Sequence, residues 1–241
     1  MNTYETRLRA REDVADGTMA FHFEKPSGFS FQPGQAIDLI LADPGPTADS
    51  HVARHTFSIV SAPFQDEVVI ATRMRDSAYK HALKSLPIGA AAGLEGPSGS
   101  LTLHRDRGRP AVLVAGGIGI TPFISMLRHA AREQLPQQLL LLYSNRRPED
   151  AAFLAELNQL ERKNRNFRLI ATMTQAAKSN RRWEGETGPI DEDRVRTACS
   201  NLSAPVFYLA GPPGMVEGIR QSLNDAGIND EDIRSEEFFG Y

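Results

Sequence analysis

The chain has 241 residues, of which 41% are hydrophobic and 24% are charged, and its formal net charge is −3. This length allows one large domain or two small ones, and the weak charge gives no electrostatic reason to expect nucleic acid or an anionic membrane as a partner. No apolar run approaches the roughly eighteen residues of a membrane span, and the N-terminus has no apolar signal region. We therefore expect no membrane insertion and a cytoplasmic location.

The single cysteine, Cys199, excludes an internal disulfide and any iron-sulfur cluster that several cysteine thiolates would hold. We interpret it as a packing residue at the end of a short helix rather than as a catalytic thiol. The six histidines show no ligand spacing with acids or with the cysteine, so we predict no metal site.

The first hundred or so residues are typical of an all-β domain with one helix. Turns rich in glycine and proline separate short segments that partly alternate apolar and polar residues. Such a pattern favours a closed barrel or a sandwich. We predict a helix over Ala78–Leu86 and strands over Tyr4–Val14, Thr18–Phe23, Ala36–Leu41, Thr56–Val60, Val68–Thr72 and Ser100–Leu103.

Beyond a polar segment at Arg105–Pro110 the pattern changes to strands alternating with helices, which predicts a mostly parallel sheet with helices on both faces. We place the domain boundary near residue 108, giving domains 1–107 and 108–241. The predicted strands are Ala111–Ala115, Gln138–Tyr143, Phe167–Met173, Val206–Ala210 and Ile233–Phe239, and the predicted helices are Pro122–Glu133, Pro148–Lys163 and Pro213–Asn224.

The first of these parallel strands runs into the glycine loop AGGIGITP, residues 115–122. The loop departs from the dinucleotide fingerprint because Pro122 stands where the third glycine belongs, and no acid follows the next strand. Right-handed crossovers favour the strand order 3-2-1-4-5, which places this loop beside AGPPGM, residues 210–215, at the point where the order reverses. Two such loops in one crevice favour ligand binding there.

A second constellation is RHTFS, residues 54–58. An arginine, an aromatic ring and a hydroxyl on one strand can place a phosphate clamp, a stacking surface and a hydrogen-bond donor together. The pattern is also common in an ordinary strand with an exposed arginine, so taken alone it leaves both interpretations open.

Five motifs in order resemble the ferredoxin-NADP reductase superfamily over essentially the whole chain: RHTFS with Ser61, GPSG at 96–99, GGIGITP, AGPPGM and the terminal SEEFF. The resemblance implies a two-domain β and α/β protein, with an N-terminal six-stranded antiparallel β-barrel for FAD and a C-terminal parallel-sheet domain for the nicotinamide nucleotide. It implies hydride transfer from NAD(P)H to N5 of FAD, and then electron transfer to a separate acceptor such as ferredoxin, flavodoxin or an oxygenase component.

Two alternatives stay open. One is a flavin-binding electron-transfer or regulatory subunit that does not itself oxidise NAD(P)H, against which the intact glycine loops argue. The other is a free-flavin reductase, against which Arg54 and Ser77 argue because they imply a retained FAD pyrophosphate.

The resemblance also assigns roles to residues. The family's Arg-x-Tyr-Ser motif falls on Arg54, Thr56, Phe57 and Ser58, with His55 between them. The arginine neutralises the FAD phosphates, the aromatic ring stacks on the flavin, and Ser58 bonds flavin N5. Ser77 is the candidate for a second phosphate contact. Thr121 with Gly116 and Gly117 meets the nicotinamide, and the second loop approaches the same nucleotide through Gly211, Pro212 and Met215.

The C-terminal acid and aromatic of the family match Glu236 and Phe238, so we expect Ser58, Glu236 and Phe238 to act in catalysis, with Glu236 organising or relaying a proton. Three more residues follow Phe238, which leaves open whether Phe238, Phe239 or Tyr241 covers the flavin. This chain also has Ala210 where plant-type members carry a cysteine.

The nucleotide preference is open as well. Arg146 and Arg147 follow the second parallel strand, where an acid would bind the ribose of NADH, and this removes a barrier to a 2′-phosphate. After the third strand, however, Thr174-Gln175 stands where NADP-selective members have Ser-Arg. The later basic residues of that loop either substitute for this arginine or are simply solvated: Lys178, Arg181 and Arg182.

Overall fold

A computed structural model describes residues 2–41 and 54–239. The first half forms a six-stranded antiparallel sheet in the order β4-β3-β6-β1-β2-β5. The Val60 N–H, just after β4, donates to the Val69 carbonyl of β5 at 2.8 Å, which joins the two edges into a barrel. The elements are β1 (Thr3–Ala15), β2 (Thr18–Glu24), β3 (Ala36–Leu41), β4 (Arg54–Ser58), β5 (Glu67–Arg73), α1 (Ala78–Ser85) and β6 (Ala91–Ser98).

The prediction of a six-stranded antiparallel barrel is confirmed, but one of its strands was misplaced. Residues 100–103 carry no strand, and the sixth strand is β6. β6 contains Gly93, which reads as a turn residue in the sequence. A Cβ at Gly93 would lie only 3.2 Å from the Cβ of Ile40, so this glycine permits the close approach of β3 and β6 within the sheet.

The second half forms a six-stranded sheet in the order β10-β9-β8-β7-β11-β12, with every pair parallel. The predicted order of the five main strands is confirmed, and a two-residue strand is added at one edge. The elements are β7 (Ala111–Gly116), α2 (Thr121–Arg132), β8 (Leu139–Asn145), α3 (Leu154–Lys163), β9 (Phe167–Met173), β10 (Glu186–Thr187), α4 (Glu192–Cys199), β11 (Val206–Gly211), α5 (Pro213–Asp225) and β12 (Ile233–Glu237).

Helices cover both faces of the parallel sheet, as predicted. Leu113 and Ala115 of β7 pack in one core with Phe123 of α2, whereas Val112 and Val114 pack in another with residues of α5. Because side chains of a strand alternate between faces, a strand buried on both sides must be apolar throughout. This explains the uninterrupted apolar run that begins at Ala111.

The helix predicted over Pro148–Lys163 is shorter than expected. Residues 148–150 form a 3-10 turn, Phe153 has a left-handed φ of 60°, and α3 begins only at Leu154. Arg147 holds Asp150 with Nη2 2.8 Å from Oδ1, so this acid binds the residue before the turn instead of stabilising the first turn of a helix. Phe153 packs against the core.

Cys199 ends α4, as predicted. Burial raises the pKa of its thiol to about 11, so the sulfur is protonated at neutral pH and unsuited to nucleophilic chemistry. In the described parts of the chain, no helix is long and apolar enough to cross a membrane. Those same residues contain no group of three histidine, cysteine, aspartate or glutamate side chains that could hold a metal ion.

The two glycine loops meet where the strand order reverses. β7 lies beside β11 with Ala115 opposite Ala210, so the loops after these strands are neighbours. A Cβ at Gly119 would lie 2.5 Å from the carbonyl carbon of Ala210 and 2.7 Å from the amide nitrogen of Gly211. Any side chain at position 119 would therefore push the loops apart.

We predict that Gly119→Ala lowers the free energy of unfolding by about 1–3 kcal/mol, because the new methyl group overlaps backbone atoms that cannot move aside easily. Gly218→Ala is the matched control, since a Cβ there meets nothing within 4 Å and alanine favours a helix interior by about 0.5–1 kcal/mol. Urea denaturation of both variants measures the difference. An unchanged midpoint for Gly119→Ala contradicts the tight contact.

Candidate functional site

A cleft of about 320 Å³ lies between the barrel and the parallel sheet. The barrel contributes β4, the end of β5 and one residue of α1, and the other half of the chain contributes the first glycine loop and the C-terminal tail. Its lining residues are His55, Thr56, Phe57, Ser58, Ala71, Thr72, Arg73, Lys80, Ile118, Thr121, Glu236, Glu237, Phe238 and Phe239.

Ser58 ends β4 at the barrel wall of the cleft and is only 4% exposed. Its Oγ is buried and has no hydrogen-bond partner within the described chain. A buried hydroxyl without a partner costs about 1–3 kcal/mol, so native proteins pair such groups with protein, water or a ligand. The unpaired Oγ in a cleft indicates a ligand atom that exchanges a hydrogen bond with it.

Of the remaining RHTFS residues, the structure does not bring Arg54 into the cleft. Its guanidinium ion-pairs with Asp38 and with Glu95, the latter with Nη1 2.7 Å from Oε2. Thr56 donates to the same Asp38, since alternate residues of a strand share a face.

His55 and Phe57 project from the other face of β4. Their rings stack at 5.2 Å with an interplanar angle of 27°, and Phe57 also packs near Tyr79 in the barrel core. Phe57 is 7% exposed, so most of its ring supports the cleft wall from inside the barrel. His55 is exposed, so its ring presents a polar edge at the cleft.

Ser77 caps α1, with its Oγ accepting from the Lys80 N–H at 3.3 Å. It does not line the cleft, whereas Lys80 does. The Lys80 ammonium donates to the Arg73 carbonyl at 2.7 Å, and burial, with the nearby Arg75 charge, lowers its pKa. The cap thus sets the start of the helix that carries a cation into the cleft.

Thr121 faces the cleft from the opposite side, at the first position of α2. Its hydroxyl donates to the Ile118 carbonyl at 3.0 Å, so its remaining capacity is to accept a hydrogen bond. Gly117 has a left-handed φ of 54°, and a Cβ there would meet nothing within 4 Å, so the backbone is open to a ligand at this point.

The residues of the second loop lie behind the first loop rather than in the cleft. A Cβ at Gly116 would lie 2.6 Å from Sδ of Met215 and 2.9 Å from Cδ of Pro212, and one at Gly211 would lie 2.8 Å from Cε of Met215. The Gly211 carbonyl also accepts from the Phe238 N–H at 2.9 Å. Gly116, Gly211, Pro212 and Met215 therefore position the first loop and the tail.

The tail brings two acids, Glu236 and Glu237, and two aromatic rings into the cleft. Glu236 pairs with Ala210 in the β11–β12 register, and burial raises the pKa of its carboxyl. Phe238 packs partly against the core, whereas Phe239 is 78% exposed. Tyr241 lies outside the described residues.

No sequence motif points to four of the lining residues: Ala71, Thr72, Arg73 and Lys80. The three residues of β5 reach the cleft because β5 closes the barrel against the end of β4, and Lys80 reaches it from α1. Neither placement can be read from the local sequence pattern. Only the position of Arg73 at the very end of an apolar strand hinted that its side chain could reach a site.

An antiparallel barrel joined to a doubly wound parallel sheet, with a cleft between them at the switch point, defines the class of two-domain nucleotide-dependent oxidoreductases. Residues 113–221, which include both glycine loops, match the family model described as oxidoreductase NAD-binding domain.

Curated relatives and a solved structure agree with this class. The chain is 29% identical to ferredoxin--NADP reductase B of Sorangium cellulosum over 98% of this chain and 97% of that one. It is 30% identical to the reductase component of propane 2-monooxygenase of Mycolicibacterium smegmatis over 83% of this chain, but spans only 57% of that protein. A ferredoxin NADP+ reductase from Neisseria gonorrhoeae superposes with a TM-score of 0.82 at 21% identity, covering 99% of this chain and 100% of that one. Over nearly its whole length the chain is therefore similar to ferredoxin-NADP reductases.

The buried carboxyl of Glu236 predicts a pH-dependent stability. Because its pKa is raised in the folded state, the stability it contributes is present below the ordinary value of 4.5 and is lost as the pH rises through the raised value. Glu236→Gln removes this loss, so we expect the variant to gain stability relative to the wild type as the pH rises above the ordinary value of 4.5.

Urea denaturation across this range measures the difference, and Glu237→Gln, which changes an exposed neighbour, is the control. If the stability difference between Glu236→Gln and the wild type is constant with pH, the carboxylate is not buried as described.

Proposed function

We propose that the chain is a FAD-dependent reductase that takes a hydride from NAD(P)H and passes electrons to a separate acceptor. The observation that supports this proposal most directly is the placement of Ser58 and Thr121 on opposite walls of one cleft. The Ser58 hydroxyl is buried there and has no hydrogen-bond partner in the described chain. Hydride transfer requires two rings held face to face, and each half of the chain supplies one wall of that space.

The residues present fit FAD. The Ser58 hydroxyl is positioned to donate to a ring nitrogen such as N5, His55 and Phe57 form an aromatic wall, and Lys80 supplies a cation toward the phosphates. Ser77 at the start of α1 is the further phosphate contact of the proposal. When bound, FAD supplies the exchange between two-electron and one-electron chemistry that the protein side chains lack.

Arg54 has a different role in this proposal from the one its motif suggests. Its ion pairs with Asp38 and Glu95 hold β4 against β3 and β6, and it contacts FAD only if those pairs rearrange.

On the opposite wall, the nicotinamide lies against Thr121 and the open backbone at Gly117. Thr121 accepts from the carboxamide N–H, because its own proton is held by Ile118. Gly116, Gly211, Pro212 and Met215 act behind this surface by fixing the loop.

Glu236 holds a proton at its carboxyl more readily than an exposed glutamate, since burial raises its pKa. It is the proton reservoir on the parallel-sheet side of the cleft, and Phe238 excludes water from the same space. Phe239 and Tyr241 are the other candidate residues for covering the flavin ring.

The acceptor is a separate redox protein such as ferredoxin, flavodoxin or an oxygenase component, which is supported by relatives named as a ferredoxin--NADP reductase and as a monooxygenase reductase component. We keep 1–107 and 108–241 as the domains, with FAD on the first. The cytoplasm is the proposed location, in keeping with a single unpaired cysteine.

We expect the purified protein to be yellow, to retain FAD through gel filtration, and to lose its flavin absorption on anaerobic addition of NADPH or NADH. Stopped-flow spectroscopy measures the rate. A retained flavin that neither nucleotide bleaches favours the electron-transfer or regulatory subunit instead, and flavin lost on purification favours the free-flavin reductase.

Ser58→Ala should retain FAD and lose about tenfold or more in the rate of flavin reduction, because the donor to the accepting nitrogen is removed. Ser85→Ala, which changes a hydroxyl bonded only within α1, is the control and should reduce at the wild-type rate. Equal rates for Ser58→Ala and the wild type remove Ser58 from the mechanism.

A further inference from the structure

A buried polar network attaches the linker between the barrel and the parallel sheet to the sheet itself. His104 lies in this linker, between the end of β6 at Ser98 and the start of β7 at Ala111. It is 8% exposed, and its partners are fully buried: Tyr208 of β11, and Gln137, two residues before β8. None of these three side chains lines the cleft.

His104 contacts Tyr208 through both its backbone and its ring. The His104 backbone N–H donates to the Tyr208 hydroxyl at 2.7 Å, and Nδ1 of the ring lies 2.9 Å from the same oxygen. Tyr208 lies in the middle of β11, which pairs with β7 on one side and with β12 on the other. These contacts hold the linker on the central strands of the sheet.

The orientation of the Gln137 amide decides which ring nitrogen of His104 carries the proton. Arg107 Nη1 lies 2.8 Å from Gln137 Oε1, and a guanidinium can only donate, so the amide oxygen faces Arg107. The amide nitrogen then faces the imidazole, with Gln137 Nε2 2.8 Å from His104 Nε2. Because an amide nitrogen only donates, His104 Nε2 is the unprotonated acceptor, and Nδ1–H donates to Tyr208.

A proton on His104 Nε2 faces the Gln137 donor. The Arg109 carbonyl lies 3.1 Å from Nε2, but it already accepts from Gln137 Nε2 at 3.0 Å. Two N–H groups directed at each other across 2.8 Å repel, so the charged ring displaces the Gln137 amide. That displacement also breaks the bond from Arg107, which donates to the His104 carbonyl as well, at 3.2 Å.

The charges around His104 also disfavour its protonation. Arg107 and Arg109 approach it from the linker, and Arg234 approaches it from β12. Asp232 offsets one of these charges, with Oδ1 2.8 Å from Arg109 Nη2. Burial lowers the pKa of His104 and the three arginines lower it further, against an opposite effect of the Arg109 carbonyl. The ring is therefore neutral at neutral pH and becomes charged only below the ordinary value of 6.5.

Arg234 connects this network to the tail that lines the cleft. Its guanidinium donates to the Thr102 carbonyl of the linker, and Cζ lies 5.5 Å from the centre of the Tyr208 ring. Two residues later, β12 supplies Glu236 to the cleft. A cation formed at His104 repels Arg234, so its effect reaches the strand that places the tail.

We propose that neutral His104 is a positioning residue that holds the linker and β12 against the parallel sheet, and that protonation of its Nε2 loosens both. The loosened linker lets the two walls of the cleft separate, so flavin reduction slows as the medium becomes acidic. This control goes beyond the proposed function, because it acts from outside the cleft through the contact between the two halves of the chain.

The first test is the protonation state of His104, which needs no activity. Long-range proton–nitrogen NMR of the imidazole rings in the purified protein shows which nitrogen carries hydrogen, and His104→Gln assigns the signal. Well above pH 6.5 we expect the Nδ1–H tautomer, with titration only below that value. An Nε2–H tautomer, or a ring that is charged at neutral pH, overturns the proposal.

The second test is hydrogen exchange of the linker amides, expressed as protection factors that correct for the intrinsic effect of pH. In the wild type we expect protection over residues 102–109 to fall by up to about tenfold for each pH unit below neutrality, as the charged fraction of His104 grows. Gln137→Glu supplies a carboxylate that accepts from Arg107 and from a protonated His104 Nε2 alike, so it should keep its protection. Equal protection of wild type and Gln137→Glu at every pH overturns the proposal.

The third test is the rate of flavin reduction against pH. The wild-type rate should fall in acid together with linker protection, and the Gln137→Glu rate should not. His129→Gln removes another half-buried histidine whose pKa burial lowers, on α2 near Arg107, and should keep the wild-type profile. Matching profiles for wild type and Gln137→Glu contradict the positioning role. If neither nucleotide reduces the flavin, the proposed function fails instead, and the NMR and exchange comparisons still decide the role of His104.

Discussion

The barrel and the parallel sheet are joined through the chain that follows β4, and the cleft depends on that junction. The fully buried Ser125 of α2 donates through its Oγ to the Ser61 carbonyl at 2.7 Å, and Arg128 donates to the Val60 carbonyl at 3.1 Å. Arg128 is held in turn by the two oxygens of Glu156 at 2.7 and 2.8 Å. Because Val60 and Ser61 follow Ser58 by only two and three residues, these bonds fix the barrel wall of the cleft relative to α2, which begins at Thr121.

Close packing of glycines fixes the other wall. Gly119 lies against the backbone of Ala210 and Gly211, and Gly211 in turn holds the tail through the Phe238 N–H. One set of contacts therefore places the first glycine loop, and the loop after β11 also places Glu236 and Phe238. This gives a physical reason for two glycine loops at the switch point: one faces the cleft, and the other supports it.

Much of this arrangement was predictable because it follows from short-range pattern. The apolar run at Ala111, the three nearby glycines and the strand-helix alternation are enough to derive the parallel sheet and its order. The missed elements share a different cause. β6 contains a glycine required by close strand approach, and α3 starts late because Phe153 adopts a left-handed conformation after a turn held by Arg147. Both are set by tertiary contacts that no local pattern carries.

The site shows the same division. Ser58, Thr121, Glu236 and Phe238 were found from motifs, and the structure brings all four to one cleft. The motif alone did not show that His55 lines the cleft and Arg54 does not. Neighbouring residues of a strand point to opposite faces, so a motif that spans both leaves their faces unassigned. The residues that β5 and α1 contribute to the cleft could not be predicted from motifs, because their positions depend on how the barrel closes.

We propose above that the cleft between Ser58 and Thr121 holds the flavin ring, with its reactive edge toward the first glycine loop. A crystal structure of the FAD-loaded protein measures this directly. We expect the flavin ring against Phe57 and Phe238, with a ring nitrogen within hydrogen-bonding distance of Ser58 Oγ and open space between that ring and Thr121. A flavin bound elsewhere, or one that leaves Ser58 Oγ unpaired, would show that this cleft is not the flavin site.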